Sequence, residues 1–218
     1  MKRSRRLFSA FLTLCLVFTL LPLPARAADT SQYLDDGLLW SLENNLLTIK
    51  PNQEAPNATH VMVGGQNWPW ESQYGDIRNI DITSGVKGIG ANVFVKTAVE
   101  TLKISETLVN IDPQTFNGLD FLRSITVDSK NPKFCAEGNF LYAHDENNVK
   151  TELVRVVPNG SYLPYQVPAT ITKIWPFAFS NTNIRELTIP DNVTSIGSCA
   201  FYYSGVTDII LPDSIEIY

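Results

Sequence analysis

Cysteine, histidine and positive charge are all scarce in this chain. It holds three cysteines and two histidines in 218 residues, with no CxxC pair. Zinc sites draw on clusters of such ligands, so no metal centre is expected. Beyond residue 27 only Cys135 and Cys199 remain, too few for a disulfide framework in a chain of this size. Long apolar runs are equally rare. The one example, "LFSAFLTLCLVFTLLPLP" (7–24), follows the basic segment "MKRSRR" and precedes Ala25-Arg26-Ala27. That order predicts a secretory signal peptide over 1–27 and no membrane span once it is cleaved. Five of the 17 basic residues lie in this leader, leaving 12 against 22 acidic ones, a net charge of −10. An acidic chain without basic runs repels nucleic acid and anionic lipid. Paired-carboxylate, P-loop and D-x-D-x-D motifs are missing, and "GIGANV" (88–93) lacks the full G-x-G-x-x-G spacing. No catalytic residue and no cofactor is assigned.

What the chain does have is repetition. An LxxLxL pattern is met by Ile77/Ile80/Ile82, Val99/Leu102/Ile104 and Leu122/Ile125/Val127. It returns at Tyr162/Tyr165/Val167, Ile184/Leu187/Ile189 and Val206/Ile209/Leu211. The last positions advance by 22, 23, 40, 22 and 22 residues. A second pattern, V-x-x-I-G-x-x-A-F, follows as "VKGIGANVF" (86–94), "LVNIDPQTF" (108–116), "ITKIWPFAF" (171–179) and "VTSIGSCAF" (193–201). Phe94, Phe116, Phe179 and Phe201 share one phase. The end of LxxLxL alternates as a short strand does, and the second pattern turns the chain back. One such unit cannot bury its own apolar side, whereas stacked copies bury a continuous core with an internal phenylalanine column.

"LTIPDNVTSIGSCAF" closely resembles the BspA-like leucine-rich repeat, over about Ile77 to Tyr218. The resemblance implies a horseshoe-type solenoid: a parallel β-sheet on one face, irregular or short helical arcs on the other, and an N-terminal β-hairpin cap. It also implies secretion or surface display and a role in adhesion or protein binding without bond chemistry. The partner would be a host or bacterial surface protein. The alternatives are a non-catalytic targeting module of a larger secreted enzyme, or a glycan-binding module using Trp68, Trp70 and Trp175.

The expected organisation is a leader (1–27), an N-terminal hairpin and capping segment (28–76), and the repeats (77–218). "GLLWSLENNLLTI" (37–49) has two alternating runs joined at "ENN". Residues 51–76, rich in Pro, Asn, Gln and Gly, form a loop. Trp40, Trp68 and Trp70 cover the apolar end of the first repeat. The 40-residue step marks an insertion at 131–158, with strands at Asn139–Tyr142 and Leu153–Val157 around the turn "HDENN". It is either a binding protrusion or a two-stranded flap that extends the sheet. The chain stops part-way round a turn at Tyr218, as a piece of a longer chain would, or as an end covered by a partner would. Sequons at Asn57, Asn159 and Asn192 matter only in a eukaryotic secretory pathway.

"GSC" (197–199) invites a nucleophile. Yet Cys199 is in phase with Phe177, Gln114 and Asn92, and no histidine lies near to activate it. A small apolar filler beside the core is expected, with Gly197 easing the bend. No Cys135–Cys199 bridge is expected, because their units are separated along the stack. The strand face is the informative surface. The first x of LxxLxL is Arg78, Glu100, Arg123, Leu163, Arg185 and Thr207 in turn, so that Arg78–Glu100–Arg123 form an alternating ladder. Asp81 and Lys103 form a second one. With Trp175, Tyr202 and Tyr203 as exposed anchors, these compose a mixed-charge protein-binding face, about 25 Å long over six strands.

Overall fold

The computed structural model describes residues 32–34, 37–55, 58–62, 68–158, 164–213 and 215–217, all within the compact unit Ser31–Tyr218. The expected signal peptide, Tyr162, Leu163, Tyr218 and the sequons at Asn57 and Asn159 lie outside the described residues. The N-terminal strands are β1 (Gln32–Leu34), β2 (Leu38–Glu43), β3 (Leu46–Pro51) and β4 (Val61–Met62). The first repeats give β5 (Asn79–Ile82), β6 (Gly88–Ile89), β7 (Thr101–Ile104), β8 (Asn110–Ile111) and β9 (Ser124–Val127). The insertion gives β10 (Phe134–Glu137), β11 (Phe140–His144) and β12 (Lys150–Val156). The remaining repeats give β13 (Tyr165–Gln166), β14 (Lys173–Ile174), β15 (Glu186–Thr188), β16 (Ser195–Ile196), β17 (Asp208–Ile210) and β18 (Glu216–Ile217). Helical structure among the described residues is confined to 3-10 turns at Glu71–Asp76 and Pro113–Phe116.

Alternation puts one side of each repeat strand in the core: in β7, Leu102 and Ile104 are buried and Thr101 and Lys103 exposed. Parallel pairing then aligns equivalent positions, so Leu47, Ile80, Leu102 and Ile125 face one another along β3–β5–β7–β9. The arcs are not irregular throughout. Their I-G segments pair as a second parallel ladder, β4–β6–β8, with Met62, Ile89 and Ile111 in register.

The expected single ladder of six repeat strands is not formed. The first sheet ends at β9, and the repeat strands resume as a separate sheet, β13–β15–β17. The arc strands divide likewise, into β4–β6–β8 and β10–β11–β12–β14–β16–β18. Two hydrophobic cores result. Phe94 and Phe116 lie in the first core. Phe179 lies in the second, and Phe201 packs against it with ring centroids 5.4 Å from Phe179.

The insertion sits between these cores and is no protrusion. It does extend a sheet, since β12 pairs in parallel with β14, matching Leu153 to Ile174. It is also a wall buried on both sides. Leu141, Ala143 and Val154 belong to the first core, Tyr142, Leu153 and Val156 to the second. Asn131, 6% exposed, fixes the entry to the wall. Its Nδ2 donates to the carbonyls of Ser105 and Leu108, and its Oδ1 accepts from the N–H groups of Lys133 and Phe134.

At the other end, the β2–β3 hairpin turns at Asn44 and Asn45 with φ of 49° and 64°, the two left-handed residues that a tight hairpin requires. β3 then pairs in parallel with β5 and acts as a layer of the solenoid. The stretch expected to be all loop contains β4. Trp40 and Trp70 are buried in the first core, Trp70 lying edge-on to Trp40 and stacked at 5.2 Å on Trp68.

The arcs turn by a regular device. Two residues after each column phenylalanine, Lys96, Gly118, Asn181 and Tyr203 have φ of 67°, 70°, 56° and 51°. Two residues before it, Asn92, Phe177 and Cys199 have φ of 57°, 59° and 55°. The second arc departs from this at Gln114, where Pro113 starts a 3-10 turn capped by Asp112. Gly197 does not serve the bend through its own φ. A Cβ there would lie 2.4 Å from the backbone nitrogen of Pro176, so its role is close approach between layers.

Candidate functional site

Parallel stacking at a 22-residue pitch brings exposed side chains of one phase side by side. On the first sheet, Arg78 Nη1 lies 3.7 Å from Glu100 Oε1, and Lys103 Nζ lies 3.0 Å from Asp81 Oδ2. Between these pairs, Thr101 Oγ1 donates to Asn79 Oδ1 at 2.6 Å. At the edge of the row, Ser84 Oγ donates to Glu106 Oε1 at 2.5 Å. Each pair joins residues 22 apart, a signal present in the sequence but passed over for Asn79–Thr101 and Ser84–Glu106. Arg123 is exposed and continues the first ladder, its N–H bonded to the Glu100 carbonyl. Solvent-facing pairs like these contribute little stability, at most about 1 kcal/mol each. Their effect is to present fixed charge on a pleated, rigid surface.

Arg185 is also exposed but sits ahead of β15, in the second repeat sheet. The Arg78–Glu100–Arg123 ladder therefore does not run on to it. Tyr202 and Tyr203 are 51% and 76% exposed, their rings edge to face at 4.5 Å. Trp175 is not an exposed anchor. It is 5% exposed, packs edge-on to Phe134 at 6.2 Å, and donates its indole N–H to Glu152. With Trp70 fully buried and Trp68 half-buried, these tryptophans offer no aromatic platform for a sugar.

Cys199 is exposed rather than a filler in the core. Its phase is a left-handed turn position, shared with Asn92 and Phe177, where asparagine is the better-tolerated occupant. Both Cys135 and Cys199 are free thiols. Burial pushes the Cys135 thiol up from its usual range, the opposite of an activated nucleophile. Among the described residues, no three His, Cys, Asp or Glu side chains gather to hold a metal. No described helix is long and apolar enough to cross a membrane.

The least legible polar group is Arg155, in the wall strand β12 and fully buried. Its Nη1 donates to the Phe177 carbonyl and to Ser180 Oγ. Burial lowers its pKa to about 10, against the pull of the Asp120 carboxylate. Beside the wall, Phe140, Val156, Pro164, Tyr165 and Ile184 line part of a cavity of about 210 Å³.

Residues 72–147 and 163–218 match the family described as BspA type leucine rich repeat region, in six copies. Among solved structures, the chain is similar to a leucine-rich repeat protein from Eubacterium ventriosum, with 18% identity and a TM-score of 0.52, over 86% of this chain and 67% of that one. It is also similar to a leucine rich cell surface protein from Faecalibacterium prausnitzii, with 23% identity and a TM-score of 0.57. That match covers 65% of this chain and 37% of the other. No match is found among curated proteins.

Proposed function

Since the chain belongs to the BspA-type leucine-rich-repeat family, we propose that it is an exported, non-enzymatic binding protein whose first repeat sheet docks a host or bacterial surface protein. One observation carries the reading: on and just ahead of β5 and β7, solvent-side charges of both signs pair in fixed register, Arg78 with Glu100 and Asp81 with Lys103. Ladders of backbone hydrogen bonds hold those strands rigid, so little ordering entropy is lost on binding. Mixed charge selects partners by electrostatic complementarity more than it adds affinity. A similar protein being described as a cell surface protein, together with the leader expected over 1–27, supports an extracellular location.

The test is interferometry of the full chain against a panel of matrix and bacterial surface proteins. For a partner so identified, the double variant Lys103→Glu/Arg123→Glu should weaken binding at least about tenfold, mostly in association rate, with an unchanged melting temperature. Unaltered binding would move the site off this sheet. Silence across the panel would count against the binding role itself.

A further inference from the structure

The wall divides the molecule unequally. It is tied to the second stack by backbone pairing, β12 to β14. Toward the first stack it has no such tie: among the described residues no strand from β1 to β9 pairs with any from β10 to β18. What lies across that plane is side-chain packing. Leu141, Ala143 and Val154 on the wall share the first core with Phe116, Leu122 and Ile125.

Apart from the Asn131 bonds at the connecting segment, polar contacts across the plane are few. Asn181 Nδ2 of the second stack donates to Asp120 Oδ1 of the first at 2.5 Å, on the exposed surface. Nearby, the buried guanidinium of Arg155 has no hydrogen-bond partner within the protein at Nε or Nη2. Donors buried without partners are destabilising; the bonds that Arg155 does make, to the Phe177 carbonyl and Ser180 Oγ, stay within the second stack. Each stack, by contrast, is internally laced by ladders and by repeat-to-repeat bonds such as Val156 N–H to the Ala178 carbonyl and Phe179 N–H to the Ala200 carbonyl.

We propose that this plane is a joint: the two stacks part along it, each with its ladders intact, before either unfolds. Asn131 holds the connecting segment to the carbonyls of Ser105 and Leu108 in the first stack, so the chain leaves that stack at a fixed point when the plane opens. The solenoid is then two rigid segments in series, and the packed state seen here is the closed position of the joint.

Native-state thiol labelling of the full chain tests this, in a background of Cys15→Ser, Cys135→Ser and Cys199→Ser. Ala143→Cys and Val154→Cys report on the plane, and Ala178→Cys, fully buried in the second core, reports on unfolding of a stack. Two plane reporters keep the test alive if one fails to fold. The joint requires labelling at 143 or 154 to be at least about 100-fold faster than at 178, with a much shallower dependence on denaturant, the sign of sub-global opening. A disulfide across the plane, from Asp120→Cys with Asn181→Cys, should abolish that excess and leave 178 unchanged. If plane and core thiols label at one common rate with one denaturant dependence, or if the closed cross-link leaves the excess intact, there is no joint.

Discussion

The position two residues after the column phenylalanine is left-handed in all four arcs, and the one two residues before it in three of them. A side chain with a Cβ is disfavoured there by about 1–2 kcal/mol, and asparagine tolerates it better than most. The chain accepts lysine, tyrosine, phenylalanine and cysteine at these sites. Lys96→Asn should therefore raise the urea midpoint, by the equivalent of about 0.5 kcal/mol. Gly118→Ala should lower stability by about 1 kcal/mol or more, because φ is 70° and Val95 Cγ2 lies 3.2 Å from the added carbon. Asn131 is the other decisive residue. Asn131→Ala deletes four hydrogen bonds and strands buried carbonyls, so equilibrium unfolding should show a loss of about 2–4 kcal/mol. Neither feature was legible beforehand. A repeat pattern is carried by apolar residues, and left-handed positions filled by unlike side chains leave no common letter. Asn131 occurs once, so no second copy draws attention to it.

At the scale of elements, the strands and the pitch were legible because alternation and burial are the same fact seen twice. The insertion was legible as a hairpin but not as a wall. Its signal was there: "LVRVV" (153–157) is a nearly continuous apolar run, which marks a strand covered on both faces. Arg155 breaks that run with a charge, although it is itself fully buried. The wall meets the second repeat sheet through Tyr142 and Tyr165, whose hydroxyls lie 3.1 Å apart. Burial, the largest cause for each, raises both phenols above their usual 10. Folded pKa values above the unfolded ones give stability that is whole below pH 10 and lost as pH climbs toward the folded values. Arg155 acts in the opposite sense, since its folded pKa lies below its unfolded one. The difference between two chains isolates the phenol. Between pH 9 and 11.5, the advantage of the parent chain over Tyr165→Phe in urea midpoint should shrink steadily. A constant difference would mean the phenol ionises alike in both states.

At the scale of the whole molecule, the expectation of one ladder of six repeat strands failed for a reason of register. A 40-residue step supplies enough chain for three antiparallel strands, and these occupy the space where the next repeat layer would stack. The charged residues expected on one face are consequently divided between two sheets, with Arg78, Glu100, Asp81, Lys103 and Arg123 on one side of the wall and Arg185 on the other. Stability should grade along the second of them. Ile209, paired with Leu187, is 38% exposed where Leu187 is 1%. Hydrogen exchange should accordingly find the amides of β17 less protected than those of β15, by at least about tenfold. Equal protection would mean that the outer layer is held by something other than its apolar contacts.

A pitch that stays within one residue of 22 also bears on which changes of length the molecule can absorb. Removing residues 184–205, one whole 22-residue turn, would bring Val206 to the place of Ile184 and β17 to the place of β15. A step one residue off is absorbed in a turn, as where Leu102 pairs with Ile125 after 23 residues and Ser195 with Glu216 after 21. Heredity can therefore lengthen or shorten this chain in whole turns on either side of the wall, while the opposite side keeps its own count.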